Sequence, residues 1–302
     1  MVLYNKTTDK NRIYSPMIPT EITKNKKQPL TQTKPQNKIL DKLFSLEIIA
    51  PVILGIIVLL TWEISVRVMN IPPYLLPGPI LVFQTMIQEW NQLFASLLIT
   101  VKITVVALVV AVVSGVLISM LFAQNKLIER SLFPYAVILQ TTPIVAIAPL
   151  IIIWFKNNTF AALIFCAWIV AFFPIISNTT LGLNSVDKNL SDMFKLYGAS
   201  RWQTLIYLRF PSALPYFLGG LKISGGLALI GAVVAEFVAG TGGTRSGIAY
   251  QILISSYNLE IPRMFAALFL TTGLGIVIFV LFTVLSDFLL KDWHESSVQK
   301  DS

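Results

Sequence analysis

The chain has 302 residues, 55% hydrophobic and 13% charged, with 23 Lys+Arg against 15 Asp+Glu for a net charge of +8. A soluble domain carries about 25% charged residues; half that share cannot give a globule of this length a wettable surface, which excludes a soluble enzyme. The single cysteine, Cys166, and single histidine, His294, exclude an internal disulfide, a thiolate cluster and a His-pair metal site.

Residues 1–42 hold nine basic and three acidic side chains, with Pro16, Pro19, Pro29 and Pro35 among many Asn, Gln and Thr. Low hydrophobicity with charge and proline predicts a disordered tail, and no apolar run of signal-peptide length occurs in it. Lys24, Lys26 and Lys27 could hold such a tail against anionic lipid, although such clusters usually number about 4–8 basic residues. Because the tail carries most of the net charge, the remaining body is not notably basic, and nucleic acid is not an expected partner.

A transmembrane helix needs about 20 mostly apolar residues. The first candidate covers residues 48–66, bracketed by Glu47 and Glu63. Pro72, Pro73, Pro77 and Pro79 then break the chain. Ile80, Phe83, Ile87, Trp90 and Phe94 recur at three- and four-residue steps among polar neighbours, which predicts either an interfacial helix or the entry of the second span. That second span lies between Lys102 and Lys126, the third between Arg130 and Lys156, and the fourth is centred on 161–176. The fifth runs over 215–240 and the sixth over 265–285. The fold class expected is therefore all-α integral membrane with six transmembrane helices, arranged as a tail (1–42), a membrane domain (43–293) and a C-terminal tail (294–302).

Basic residues set the orientation. With the N-terminal tail in the cytoplasm, Lys126, Arg130, Lys188, Lys195, Arg201, Arg209, Lys291 and Lys300 are also cytoplasmic. Only Arg67, Lys156, Arg245 and Arg263 face outward, so the positive-inside rule puts both termini in the cytoplasm.

Between spans four and five, residues 184–211 form a polar cytoplasmic loop. Leu190, Met193, Phe194 and Tyr197 are spaced for one helical face. Gly198 suits a left-handed helix end, Ser200 with Gln203 is a capping-box pair, and Pro211 is expected to stop the second helix. A helix-turn-helix with apolar side chains beside basic ones calls for a partner.

Here the sequence resembles the inner-membrane permeases of bacterial ABC importers. Their loop signature is Glu-Ala-Ala, three residues, Gly, nine residues, Ile, one residue, Leu-Pro. This chain keeps every spacing with Asp192-Met193-Phe194, Gly198, Leu208 and Phe210-Pro211, and Gly198-Ala199-Ser200-Arg201 is similar to the consensus. Asp for Glu and Met-Phe for Ala-Ala depart from it. Leu76-Pro77-Gly78-Pro79, the Pro143 to Pro149 stretch with Trp154-Phe155, the Ala228 to Glu236 stretch and Pro262-Arg263-Met264-Phe265 resemble the subgroup importing nitrate, sulfonates, taurine, bicarbonate and pyrimidine-type compounds. That subgroup has Gly after Trp-Phe where this chain has Lys156.

The resemblance implies a permease in the bacterial inner membrane, working as a pair with cytoplasmic ATPase subunits and an external solute-binding protein. Asp192, Met193, Phe194, Gly198, Ala199, Ser200, Leu208 and Pro211 would then form the element that couples to the ATPase. ATP would be bound by that partner, because no Gly-x-x-x-x-Gly-Lys-Ser/Thr loop occurs in this chain. The glycine-rich stretch 240–244 lacks the lysine and reads as an external loop. No catalytic residue, cofactor or metal is expected.

Ionisable groups inside spans are costly and are functional candidates. Glu236 is either a pathway residue or a glutamate bonded to a neighbouring helix. Lys222 can line the pathway or extend to the cytoplasm, and Lys102 reads as an interfacial anchor. Gly219, Gly220, Ser224, Gly225, Gly226, Ala228, Gly231 and Ala232 predict a close helix contact, either between two permease copies or within one. An ion-coupled secondary transporter is the alternative, but neither internal repeats nor several buried carboxylates are evident.

Overall fold

A computed structural model describes residues 46–156, 158–240 and 246–291. The tails expected at 1–42 and 294–302, His294 and the glycine-rich stretch 241–244 lie outside the described residues. The chain divides into a unit up to Gly55 and one from Ile56 onward, and the packing below is that of the second unit.

Among the described residues every regular element is a helix. Helix α1 is Leu46–Val68, α2 Pro79–Gln88, α3 Trp90–Gln124, α4 Lys126–Thr141 and α5 Ile144–Trp154. They are followed by α6 Thr159–Asn184, α7 Lys188–Leu196, α8 Arg201–Ala239, α9 Ile248–Tyr257 and α10 Ile261–Leu290. Five of these (α1, α3, α6, α8, α10) are long and apolar enough to cross a bilayer.

The third expected span is not straight. Helices α4 and α5 meet at 98°, because Pro143 bars the residue before it from helical geometry and Thr142 sits at ψ 124. The pair makes the sixth span if its two limbs count as one. The amphipathic segment near Ile80 also divides. Helix α2 ends at Gln88, while Trp90 and Phe94 belong to α3, which starts well before Lys102 and extends about 52 Å at 1.5 Å per residue.

Helices α3, α6 and α8 form the centre. One buried cluster joins Ile103 and Ala107 of α3, Ile151 of α5, Cys166 and Ala167 of α6, and Ala232 and Ala235 of α8. A second joins Ala111 and Phe122 to Ile175, Leu218 and Ala228. Small residues set the spacing. A Cβ on Gly231 would lie 2.8 Å from Ala167 Cα, and one on Gly220 would lie 2.8 Å from the Pro174 carbonyl oxygen. Ser224 Oγ donates to Ala171 O at 2.7 Å across the same seam. The small-residue stripe is thus used chiefly inside one chain, where Gly225 also abuts Phe282 of α10. Of the glycines in that stripe, Gly219 and Gly226 have open space beside them.

Pro211 does not end a helix, contrary to the sequence expectation. The chain continues as one helix from Arg201 to Ala239, with a π turn at Leu205–Arg209 in which Phe210 N reaches Leu205 O. Proline lacks the N–H that the preceding turn would use, and a wider turn absorbs the missing bond and the bulk of the ring.

Gly231→Leu forces the seam between α6 and α8 apart and costs about 1–3 kcal/mol. The same change at Gly226 meets open space. Thermal unfolding of the purified variants should therefore show a lowered midpoint for the first and little change for the second.

Candidate functional site

The 187–210 loop is built from local signals. Asp187 Oδ1 accepts from Asn189 N at 2.6 Å and opens α7. Gly198 sits at φ 71, in the left-handed region. Ala199 N then reaches Phe194 O and Gly198 N reaches Lys195 O, both at 3.0 Å, which is the Schellman pattern of helix closure. Ser200 Oγ accepts from Gln203 N at 3.2 Å while Gln203 Oε1 accepts from Ser200 N at 2.7 Å, completing the capping box. Two reciprocal closures, back to back, fix the angle between α7 and α8.

The apolar residues divide by face. Leu205 and Leu208 are buried, and Leu205 packs with Leu183 and Ala213. Leu196 and Tyr197 are 88% and 85% exposed, so among the described residues nothing covers them. Leu190, Met193, Trp202, Ile206 and Tyr207 extend the exposed face. Phe194 is half-buried, and Asp192 pairs with Lys195 at 2.8 Å on the surface. A contiguous exposed apolar surface rimmed by polar groups marks an interaction site.

The other end of α8 carries Glu236, which is 3% exposed. Its Oε1 accepts from Thr100 Oγ1 of α3 at 2.7 Å and its Oε2 accepts from Ala249 N at 3.0 Å. Thr100 Oγ1 in turn accepts from Ile248 N at 2.9 Å. The carboxylate therefore closes the N-terminus of α9, whose first amides lack helical partners and carry the positive end of the helix dipole. Gly247, the residue before α9, has no side chain because the carboxylate occupies the space its Cβ would take. Glu236 is thus hydrogen-bonded to two neighbouring helices.

A basin of about 610 Å³ adjoins this closure, with Gln92, Ser96, Tyr250, Gln251, Asn258 and Arg263 on its walls. Gln251 Nε2 donates to Ser96 Oγ at 2.9 Å, and Arg263 donates to Gln251 Oε1 at 3.0 Å. Arg263 also meets Glu89 at 2.7 Å and Glu260 at 3.2 Å, so its charge is answered within the wall. Lys222, by contrast, lies in the α8–α10 seam with Nζ 4.2 Å from the Phe279 ring centroid. Lys102 Nζ is 5.4 Å from that of Phe160.

The structure brings Glu236 together with Thr100, Ser96, Gln251, Glu89 and Arg263, a set that sequence reasoning did not assemble. Thr100 and Ser96 read as ordinary polar residues of an apolar helix. Glu89 and Arg263 lie at distant points of the chain, with no local pattern to pair them. The one available signal was Gly247, a glycine directly preceding an apolar helical run.

The family described as "Binding-protein-dependent transport system inner membrane component" matches residues 111–291. The formylaminopyrimidine transport permease protein ThiX of Halalkalibacterium halodurans is 34% identical over 82% of this chain and 96% of its own length. The riboflavin transport system permease protein RibX of Chloroflexus aurantiacus is 33% identical over 89% and 98%. A putative aliphatic sulfonates transport permease protein, SsuC of Bacillus subtilis, is 28% identical over 78% and 81%. A solved amino acid ABC transporter chain superposes with a TM-score of 0.56 at 20% identity, over 70% of this chain and 98% of its own, and shares the fold.

Thr100→Val removes the hydroxyl that serves both Glu236 and Ile248 N and leaves buried polar groups unpaired, at about 1–3 kcal/mol. Hydrogen exchange at the Ile248 and Ala249 amides should accelerate in that variant. In Glu236→Gln the amide oxygen can still accept from Ala249 N while its nitrogen donates to Thr100 Oγ1, so both contacts survive without the charge and exchange rises less.

Proposed function

This chain belongs to the family of binding-protein-dependent transport system inner membrane components, and from that premise we propose how it works. It is a multi-pass inner-membrane permease of an ABC importer, a class that operates with an ATPase and a solute-binding protein. In our reading the ATPase docks on the 187–210 loop. The observation that carries this is the exposed apolar face of Leu196, Tyr197 and Trp202, held on a turn closed from both sides.

Within that loop the residues divide their work. Gly198, Ala199 and Ser200 set the turn. Met193 and Phe194 present the first helix, with Asp192 tied to Lys195. Leu208, buried, seats the second helix on the bundle, and Pro211 fixes the π turn where the loop becomes a span. Two copies would form the pathway, with both termini in the cytoplasm. ATP is bound and hydrolysed by the partner, and this chain supplies no catalytic group, cofactor or metal. Nucleotide-driven closure of the ATPases shifts the pair between inward-facing and outward-facing states, biasing a bistable element rather than doing chemistry in the membrane.

The solute we assign is a small polar compound, of pyrimidine type ahead of nitrate, sulfonate, taurine or bicarbonate. ThiX and RibX, named for heterocyclic solutes, match over more than 80% of this chain. Amide and hydroxyl groups lie on the basin walls beside the apolar Ala95, Ile99 and Ile254, and the guanidinium there is already neutralised by two carboxylates. Such walls suit a hydrogen-bonding heterocycle better than a free anion. In this reading Glu236 and Lys222 act on the pathway indirectly, by holding α9 and α10 against α8.

Gly198→Val forces a β-branched residue into the left-handed region, a change of about 1–2 kcal/mol that should loosen the turn. Uptake by the reconstituted complex should fall by roughly tenfold while the variant still inserts in the membrane. Unchanged uptake would remove the loop from its coupling role. Leu196→Asp with Trp202→Asp should abolish co-purification of the ATPase, and retention of that partner would mean that the exposed face is not its dock.

A further inference from the structure

A second hollow lies beside the loop. It measures about 360 Å³ and is walled by Lys126, Arg130, Arg209, Glu129, Asn184 and Ser191. These come from four places: the start of α4, the end of α6, helix α7 and the π turn of α8. Among the described residues none of the three cations enters an ion pair. Glu129, the carboxylate on the wall, is held by Asn184 Nδ2 at 3.4 Å. Arg209 is half-buried and donates from Nη1 to the Ala123 carbonyl at 2.7 Å, at the end of α3, and among the described residues it has no carboxylate partner. Three cations converging on one hollow, with a net excess of positive charge, call for an anion.

We propose that this hollow binds a phosphate-bearing anion, and that its source is the headgroup of an anionic phospholipid. Two features favour lipid over a soluble phosphate. The hollow sits where α3, α6 and α8 end, at the level that headgroups occupy around a spanning bundle. Next to its cations α4 exposes Leu127, 71% accessible, and Leu132, an apolar surface that acyl chains would cover. Ser191 belongs to α7, so the bound phosphate bridges the loop to the bundle and steadies the loop. The inference takes the cytoplasmic placement of the loop from the reading above. The binding measurement below does not depend on it, because both leaflets of a nanodisc carry the same lipid.

The test uses the full permease–ATPase complex in nanodiscs of phosphatidylcholine with or without phosphatidylglycerol, and reads retained lipid by native mass spectrometry after extraction. Wild type should retain phosphatidylglycerol selectively, and K126Q/R130Q should weaken that retention roughly 25-fold, about fivefold for each cation removed. K126R/R130K should restore it, which a folding defect would not allow. Equal retention by wild type and K126Q/R130Q overturns the proposal. If titrated inorganic phosphate alone protects Lys126 from acetylation and the lipid does not, the anion site stands and its lipid source is overturned. If K126Q/R130Q instead loses the ATPase with lipid retention intact, the hollow is a protein contact and the proposal fails. Loss of uptake in Gly198→Val bears only on the coupling reading, so the two can fail separately.

Discussion

One buried carboxylate organises the end of the molecule opposite the 187–210 loop. Glu236 is on the last turn of α8, yet its two oxygens serve groups on α3 and α9. An unpaired charge at that depth would be prohibitive. Here it meets a hydroxyl, a backbone amide and the positive end of a helix dipole, which makes the burial tolerable and the geometry specific. Removing Thr100 leaves Oε1 and the Ile248 amide unpaired, while the bond between Oε2 and Ala249 N remains. The placement of α9, and through Gln251 that of Arg263 and Glu89, therefore depends on this group.

The same device occurs a second time. Glu63 of α1 accepts from Ile80 N at 3.1 Å at the start of α2, and a Cβ on Gly78 would fall 2.6 Å from its Oε2. In both cases a glycine precedes a ten-residue helix and a glutamate from a distant span takes over the capping role. A side chain on the glycine would fill the approach. Leu76-Pro77-Gly78-Pro79 thereby acquires a physical meaning: proline starts the helix without needing an N–H, and glycine leaves room for the carboxylate. Trp62 adds apolar attachment, with its ring 5.8 Å from Phe265 and 6.1 Å from Phe269 on α10.

What the sequence disclosed was local or compositional. Long apolar runs with few charges located the spans, and Gly198 with Ser200 and Gln203 placed the turn, because a left-handed glycine and a capping box are complete within a few residues. Direction was not legible. The run between Arg130 and Lys156 is long enough for a span and its Pro143 suggests a kink, but hydropathy does not record a 98° bend. Nor was the fate of Pro211, since a proline that ends one helix can be absorbed by a π turn in another. The small residues of α8 announced a close contact but not its owner, which only the placement of Ala167 and Pro174 identifies. Pairings such as Glu89 with Arg263 follow from tertiary packing alone.

The unbroken run from Arg201 to Ala239 has a mechanical consequence. At 1.5 Å per residue it is a rod of about 58 Å. One end carries the exposed Trp202 and the other the carboxylate that pins α9. Beyond Arg209 a tilt is carried to the far end with little loss, because an α-helix resists bending far more than the loops around it. The compliant point is the π turn at Leu205–Arg209, just above the place where force would be applied. If the ATPase docks as proposed, the helix is a stiff lever with a joint near its handle, and the stiffness of that joint sets how much of each stroke reaches the far side of the membrane.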